Sequence, residues 1–149
     1  MTIRTIACCT DFSENADRAV AAAGDLARRF DGALFILHVL PPVVNPVLTE
    51  AEWIPPEEAP RETILMQLQE RMQERYGSTM PNGVAPQFIV LDGHVSTEIL
   101  TFLKDRGVDL VVMGSYGLSG MGLVLFGSVA KRVSQKAACS VMIVREDDE

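Results

Sequence analysis

Five short apolar runs, none of them strictly alternating with polar residues, constrain the fold of this chain more than any other feature. They are Ile3 to Cys9, Ala33 to Leu40, Pro86 to Leu91, Val108 to Met113 and Val141 to Val144. A strand that shows one face to water alternates apolar with polar residues. An unbroken apolar run of strand length is covered on both faces, the environment of a parallel sheet. Between the runs lie segments of helical spacing. Ser13 is a good N-cap with Glu14 and Asp17 in the turn that follows, and Ala16, Val20, Ala23, Ala27 and Phe30 recur at three or four residues. That predicts an amphipathic helix to about Arg29, with Gly24 tolerated inside it and Asp31-Gly32 ending it. Its small inner residues let it lie close to a sheet.

Arg61 to Tyr76 resumes helical spacing at Ile64, Leu65, Leu68, Met72 and Tyr76, with Gly77 as a stop, and Met66 and Met72 read as core filler. A third helix is expected from about Ser96, with Ile99, Leu100 and Leu103 inward and Gly107 at C′. A fourth is expected over Ser128 to Ala137, with Ala130, Val133 and Ala137 inward. Strands that alternate with helices in this way define a doubly wound α/β domain, a Rossmann-like parallel sheet covered by helices on both faces. Right-handed crossovers leave few topologies, and the order 3-2-1-4-5 is expected. In such sheets ligands bind outside the carboxyl ends of the strands where the winding reverses. Here that point brings Thr10-Asp11, after the first strand, beside Gly114, after the fourth.

Bulk properties agree with one globular domain over residues 1–149, since 149 residues at 48% hydrophobic and 22% charged content supply a proper core. Residues 41–60 carry Pro41, Pro42, Pro46, Pro55, Pro56 and Pro60 and read as an extended loop, and 146–149 as an acidic tail. The net charge of −7, with scattered Lys and Arg, excludes an extended nucleic-acid face. No run of about 18 apolar residues offers a membrane span, and no apolar leader precedes the first strand, so a cytoplasmic protein is expected. Cys8, Cys9 and Cys139 lack metal or C-x-x-C spacing and read as reduced, buried thiols. With only His38, read as a packed strand residue, and His94, read as a loop residue, no metal site based on histidine is expected.

The stretch from Val111 to Val129 carries the chemistry. An apolar strand stops at Gly114, the chain turns through Gly117, Gly120 and Gly122, and Gly127-Ser128 opens a helix. Strand, glycine loop and helix is the layout of a phosphate cradle, with a flexible surface loop joining β to α as the plain alternative: glycines let backbone N–H groups converge on an anion, and the helix start adds its own N–H groups and positive dipole end. The loop has no Lys, so it is not a Walker A sequence. Asp11 after the first strand, the backbone around Val39 after the second and this loop after the fourth would suit a ribose hydroxyl, an adenine edge and phosphates. Asp11 and Ser128 each also have a plain reading, as helix caps.

These residues resemble the universal stress protein family, the UspA-like domains, over essentially the whole chain. The resemblance is carried by Ile-Ala-Cys-Cys-Thr-Asp-Phe-Ser-Glu-Asn-Ala near the start, Leu37-His-Val39, Gly93 with Glu98-Ile99-Leu100, and Asp109 to Gly117. The most specific element is Gly114-x2-Gly117-x9-Gly127-Ser128, the pattern of the family's ATP-binding branch. It implies an ATP-binding, homodimeric, cytoplasmic stress protein. By it Asp11 would hold ribose, the main chain of Val39 would meet adenine, and Cys9, Thr10 and Met113 would line the pocket. Gly114, Gly117, Gly127, Ser128 and Val129 would hold ribose and phosphates. Where relatives often place basic residues this chain has Met121-Gly122-Leu123, and Tyr116 stands where they frequently have His. The phosphates would therefore rest on backbone N–H groups, the Ser119 and Ser128 hydroxyls and Mg²⁺.

Three functions compete: a nucleotide-responsive binding module with a protein partner, a slow ATPase or autokinase, and a structural dimer. Phosphoryl transfer needs positioned charge and a base at the γ-phosphate, and neither is evident. The binding module ranks first. The last strand, Val141 to Val144, is an edge free of Lys and Pro, so it is expected to pair with a second copy across a two-fold axis. The alternative is that the fourth helix and Leu123 to Phe126 cover it.

Overall fold

The apolar runs pair with one another into one sheet, in which the three inner strands are buried on both faces while the two edge runs, the third and the fifth, are only partly covered. In the computed structural model, which describes residues 1–42, 60–115 and 127–146, they form strands β1 (Thr5–Cys9), β2 (Ala33–Leu40), β3 (Gln87–Asp92), β4 (Leu110–Gly114) and β5 (Ser140–Val144). Helices α1 (Glu14–Phe30), α2 (Arg61–Tyr76), α3 (Val95–Asp105) and α4 (Ser128–Lys136) alternate with them. The sheet order is β3-β2-β1-β4-β5, and all four pairings are parallel. The doubly wound topology expected from the run pattern is the one observed.

Strand ends move where another group takes the backbone. β1 begins at Thr5, because the Arg4 and Thr5 N–H groups donate to the Asp109 carboxylate at 2.8 and 3.0 Å. β3 begins after Pro86, which has no N–H to offer the ladder. β4 begins after Val108, whose N–H closes the last turn of the preceding helix on Leu103 O at 3.0 Å.

Alternation along the strands divides the core into two layers. Ile6, Cys8, Leu34, Ile36, Leu110 and Val112 meet α1 and α2, while Ala7, Leu37, Val39, Val111 and Met113 meet α3 and α4. Adjacent Cys8 and Cys9 thus face opposite layers. Ile6, Val111 and Val112 are fully enclosed, each worth about 1.5–3 kcal/mol relative to exposure. α1 lies close to the sheet on Ala19, Ala23 and Ala27. At Gly24 a side chain would meet Pro81 Cδ at 3.1 Å.

Four expectations are corrected. Met66 is 64% exposed and fills no core, whereas Met72 is fully buried; Met66 stands six residues, about 120° around the helix, from Met72. Phe30 closes α1 at 47% exposure instead of continuing its inner face. His94 is the N-cap of α3, its ring accepting from Thr97 N, and not a bare loop residue. Ser128 is the first helical residue of α4, and the N-cap is Gly127. Gly107 follows the α3 cap at φ 59°, the left-handed conformation expected at C′.

Candidate functional site

The order of the strands leaves a cleft where β1 and β4, wound in opposite directions, end side by side. There the chain encloses a cavity of about 380 Å³, within the usual range for small-ligand sites. The β1–α1 turn contributes Cys9, Thr10 and Asp11, β2 contributes Leu37, His38 and Val39, and β4 contributes Met113 and Gly114. The start of α4 closes it with Gly127, Ser128, Val129 and Ala130, and Val95 and Ile99 of α3 complete the wall. Nine of the residues singled out from the sequence therefore share one cavity. The other two, Gly117 and Ser119, lie outside the described residues, as do Tyr116, the rest of the glycine loop to Phe126, and residues 43–59 of the proline-rich segment.

The β1–α1 turn is built by short hydrogen bonds. Thr10 N–H donates to Leu37 O at 2.8 Å, extending the β1–β2 ladder by one bond. The Asp11 carboxylate accepts from Ser13 N–H at 3.0 Å, and Ser13 Oγ in turn accepts from Ala16 N–H at 3.1 Å. Ser13 is thus the cap of α1, and Asp11 orders the turn ahead of it. Phe12, between them, adopts φ 65°, a left-handed conformation costly for a bulky side chain, of order 1–3 kcal/mol. Its amide donates to Thr10 Oγ1 at 3.0 Å, its ring lies 4.6 Å from that of His38, and the Arg71 guanidinium sits 4.0 Å over it.

On β2 the backbone at Val39 is turned toward the cleft. Leu37 O accepts from Thr10, and Leu40 O accepts from Gly93 N–H at 3.0 Å on the β3 side. Backbone groups alternate sides along a parallel strand, so the Val39 N–H and C=O point to the same edge as those of Leu37, beyond the last β1–β2 pair, Cys9 with Leu37. A flat heteroaromatic edge could be read there.

The start of α4 supplies the donors. Gly127 brings no side-chain cap, and the first bond within the helix is Lys131 N–H to Gly127 O at 3.0 Å. The N–H groups of Ser128, Val129 and Ala130, all from cavity-lining residues, precede that bond and have no acceptor within the helix. This arrangement fits an anionic group. Gly127 N–H itself donates to Ser115 O at 2.8 Å, which ties the helix start back to the end of β4. Gly114 has a further reason to be glycine, since a Cβ there would lie 2.9 Å from the Asn15 carbonyl oxygen.

Among the described residues, none lining the cavity is Lys or Arg. Burial pushes the Cys9 thiol up to about 12, with Cys139 adding to the rise, so Cys9 is an uncharged wall and not a nucleophile at neutral pH. Burial also holds His38 below its ordinary value, helped by Arg71 and opposed by the Thr10 carbonyl and Asp11. The imidazole is neutral, and its Nδ1–H donates to Thr10 O at 2.8 Å. His38 was read from the sequence as packed only; it packs on Phe12 and also borders the cavity, a position its place just before Val39 could have suggested. Tyr76 left no local signal, because its partner Thr10 is 66 positions away. Among the described residues no group of three or more His, Cys, Asp or Glu side chains could hold a metal ion, and no helix is long and apolar enough to cross a membrane.

A parallel five-stranded sheet with this order, a cleft at its winding reversal and an uncapped helix start facing the cleft define a Rossmann-like ligand-binding domain. The sequence profile of the universal stress protein family matches residues 2–145, and the chain belongs to that family. The universal stress protein YxiE of Bacillus subtilis is 32% identical over 139 residues, covering 91% of this chain and 94% of that one. Solved structures share the fold. A universal stress protein in complex with cAMP superposes with TM-score 0.69 at 20% identity, covering 99% of this chain and 100% of the other. The universal stress protein of Archaeoglobus fulgidus in complex with dAMP superposes with TM-score 0.67 at 20% identity, covering 96% and 98%.

Proposed function

We propose that this protein binds ATP in the β1–β4 cleft and acts as a nucleotide-responsive, dimeric regulatory module. The observation that carries the reading is the meeting in one cavity of an inward-turned backbone edge at Val39, the carboxylate-bearing turn at Asp11 and the uncapped start of α4. These suit adenine, ribose and phosphate respectively. Support comes from the two relatives of the same fold solved with adenine nucleotides, cAMP and dAMP. In this reading the phosphates rest on α4 N–H groups, with Mg²⁺ neutralising charge that no basic residue meets among the described lining residues. Nucleotide occupancy alters the surface offered to a protein partner, and two copies associate through β5.

Calorimetry on the full chain with ATP, AMP and NADH, each with and without excess Mg²⁺, tests the assignment. ATP with Mg²⁺ is expected to bind tightest, and removal of the metal to weaken it. Equal, millimolar binding of all three ligands would overturn it.

A further inference from the structure

We infer that Tyr76 of α2 is a positioning residue of the cavity, acting with Asp17 of α1 through a one-way chain of hydrogen bonds that starts in the β1–α1 turn and ends on the Asp17 carboxylate. The inference rests on the reading of the cavity as an adenine-nucleotide site. Tyr76 lies buried beneath α1, its hydroxyl 2.6 Å from Thr10 Oγ1 and 2.7 Å from Asp17 Oδ1.

Proton counting fixes the direction of every bond. Arg75 grips both Asp17 oxygens, at 2.9 and 2.7 Å, so Asp17 is an ionised acceptor and Tyr76 must give it its only hydroxyl proton. The Tyr76 oxygen is then left to accept, and Thr10 Oγ1–H must donate to it. Thr10 Oγ1 in turn accepts from Phe12 N–H at 3.0 Å. Each hydroxyl therefore donates once and accepts once, from Phe12 through Thr10 and Tyr76 to Asp17. The chain holds in place the residue with the least comfortable backbone in the turn, Phe12 at φ 65°. Thr10 and Asp11, its neighbours, line the cavity. Among the described residues that line the cavity none belongs to α2, so Tyr76 acts on the ligand through this turn.

Tyr76→Phe keeps the ring that packs in the core and removes only the relay. In the full chain without ligand, the Phe12 amide of this variant should exchange with solvent about tenfold faster, because its acceptor Thr10 Oγ1 is no longer anchored, while the Val20 and Ala23 amides of α1 exchange as before. The Kd for ATP with Mg²⁺ should rise about tenfold. Asp17→Ala, which removes the terminal acceptor, should weaken binding similarly, and the double variant no more than either single change, since both cut one chain. An unchanged Kd in Tyr76→Phe, with or without a lower Tm, overturns the inference and leaves Tyr76 a packing residue. Should the wild type bind no ATP, the proposed function falls, and the Phe12 exchange rate alone decides whether Tyr76 positions the turn.

Discussion

His38 shows how a single residue ties the cavity to solution pH. Its ring is pressed between the Phe12 ring and the Thr10 carbonyl, with Arg71 of α2 and Asp11 of the turn as the charges that act on it. Burial depresses its pKa below the ordinary 6.5. In the unfolded chain the imidazole takes up a proton near that ordinary value, while the fold resists it. The fold is therefore at full stability above about pH 6.5 and loses stability as pH falls from there toward the depressed folded value, levelling off below it. Urea midpoints measured across this window should decline in the wild type and decline less in His38→Gln; parallel profiles would show that another group carries the slope. The place of His38 just before Val39 was the one local hint of the cavity, while its contact with a turn 28 residues away had no local sign. Gly114 was legible as a necessary glycine, yet the nearest reason for it is the Asn15 carbonyl of α1, a long-range approach that no spacing rule contains.

At the level of elements, β5 is the edge that could be read from its lack of Lys and Pro, and its two faces are now distinguishable. Val141 and Ile143 pack against the layer under α3 and α4, Val144 packs toward α1, and Met142 is 38% exposed. Apolar exposure on an edge strand invites a second copy. Met142→Lys should therefore dissociate the proposed dimer in sedimentation at micromolar concentration while leaving the urea midpoint near wild type, whereas Ile143→Lys should lower the midpoint itself by placing a charge on the half-buried face packed against the core. A monomeric wild type, or a dimer indifferent to Met142→Lys, removes the interface. The strands and helices were legible because continuous apolar runs and 3.6-residue spacing are written locally in the chain, although full burial on both faces is reached only by the inner strands β1, β2 and β4 and not by the edges β3 and β5. The ends of the elements were less legible. β1 starts where the Asp109 side chain, 104 residues away, releases the backbone, and α3 is capped by a histidine, outside the usual Ser, Thr, Asp and Asn set. Met66 misled because it sits one helical step from Leu65 and shares its chemistry, while the turn of the helix carries it to solvent.

For the whole molecule the decisive quantity is charge. The protein carries −7, the described residues lining the cavity include Asp11 and no Lys or Arg, and the sequence from Tyr116 to Phe126 holds no basic residue. A polyphosphate approaching this cleft meets net repulsion, offset locally by the N–H groups at the start of α4 and by the metal it brings. Most phosphate sites lose affinity as salt screens their cations; here added salt screens a repulsion instead. ATP without Mg²⁺ should consequently bind more tightly as NaCl is raised, and the complex with Mg²⁺ should show a flatter dependence. The same difference should appear in thermal unfolding. Ligand at a hundredfold excess over its Kd stabilises by about 2.7 kcal/mol, which for a domain of this size lifts Tm by roughly 5–10 °C. Matching the ligand excess at low and high salt should keep that increment constant while the ATP concentration needed to reach it falls as salt rises. If the required concentration rises steeply instead, cationic side chains dominate phosphate binding, and the assignment of the phosphates to the backbone donors of α4 is wrong.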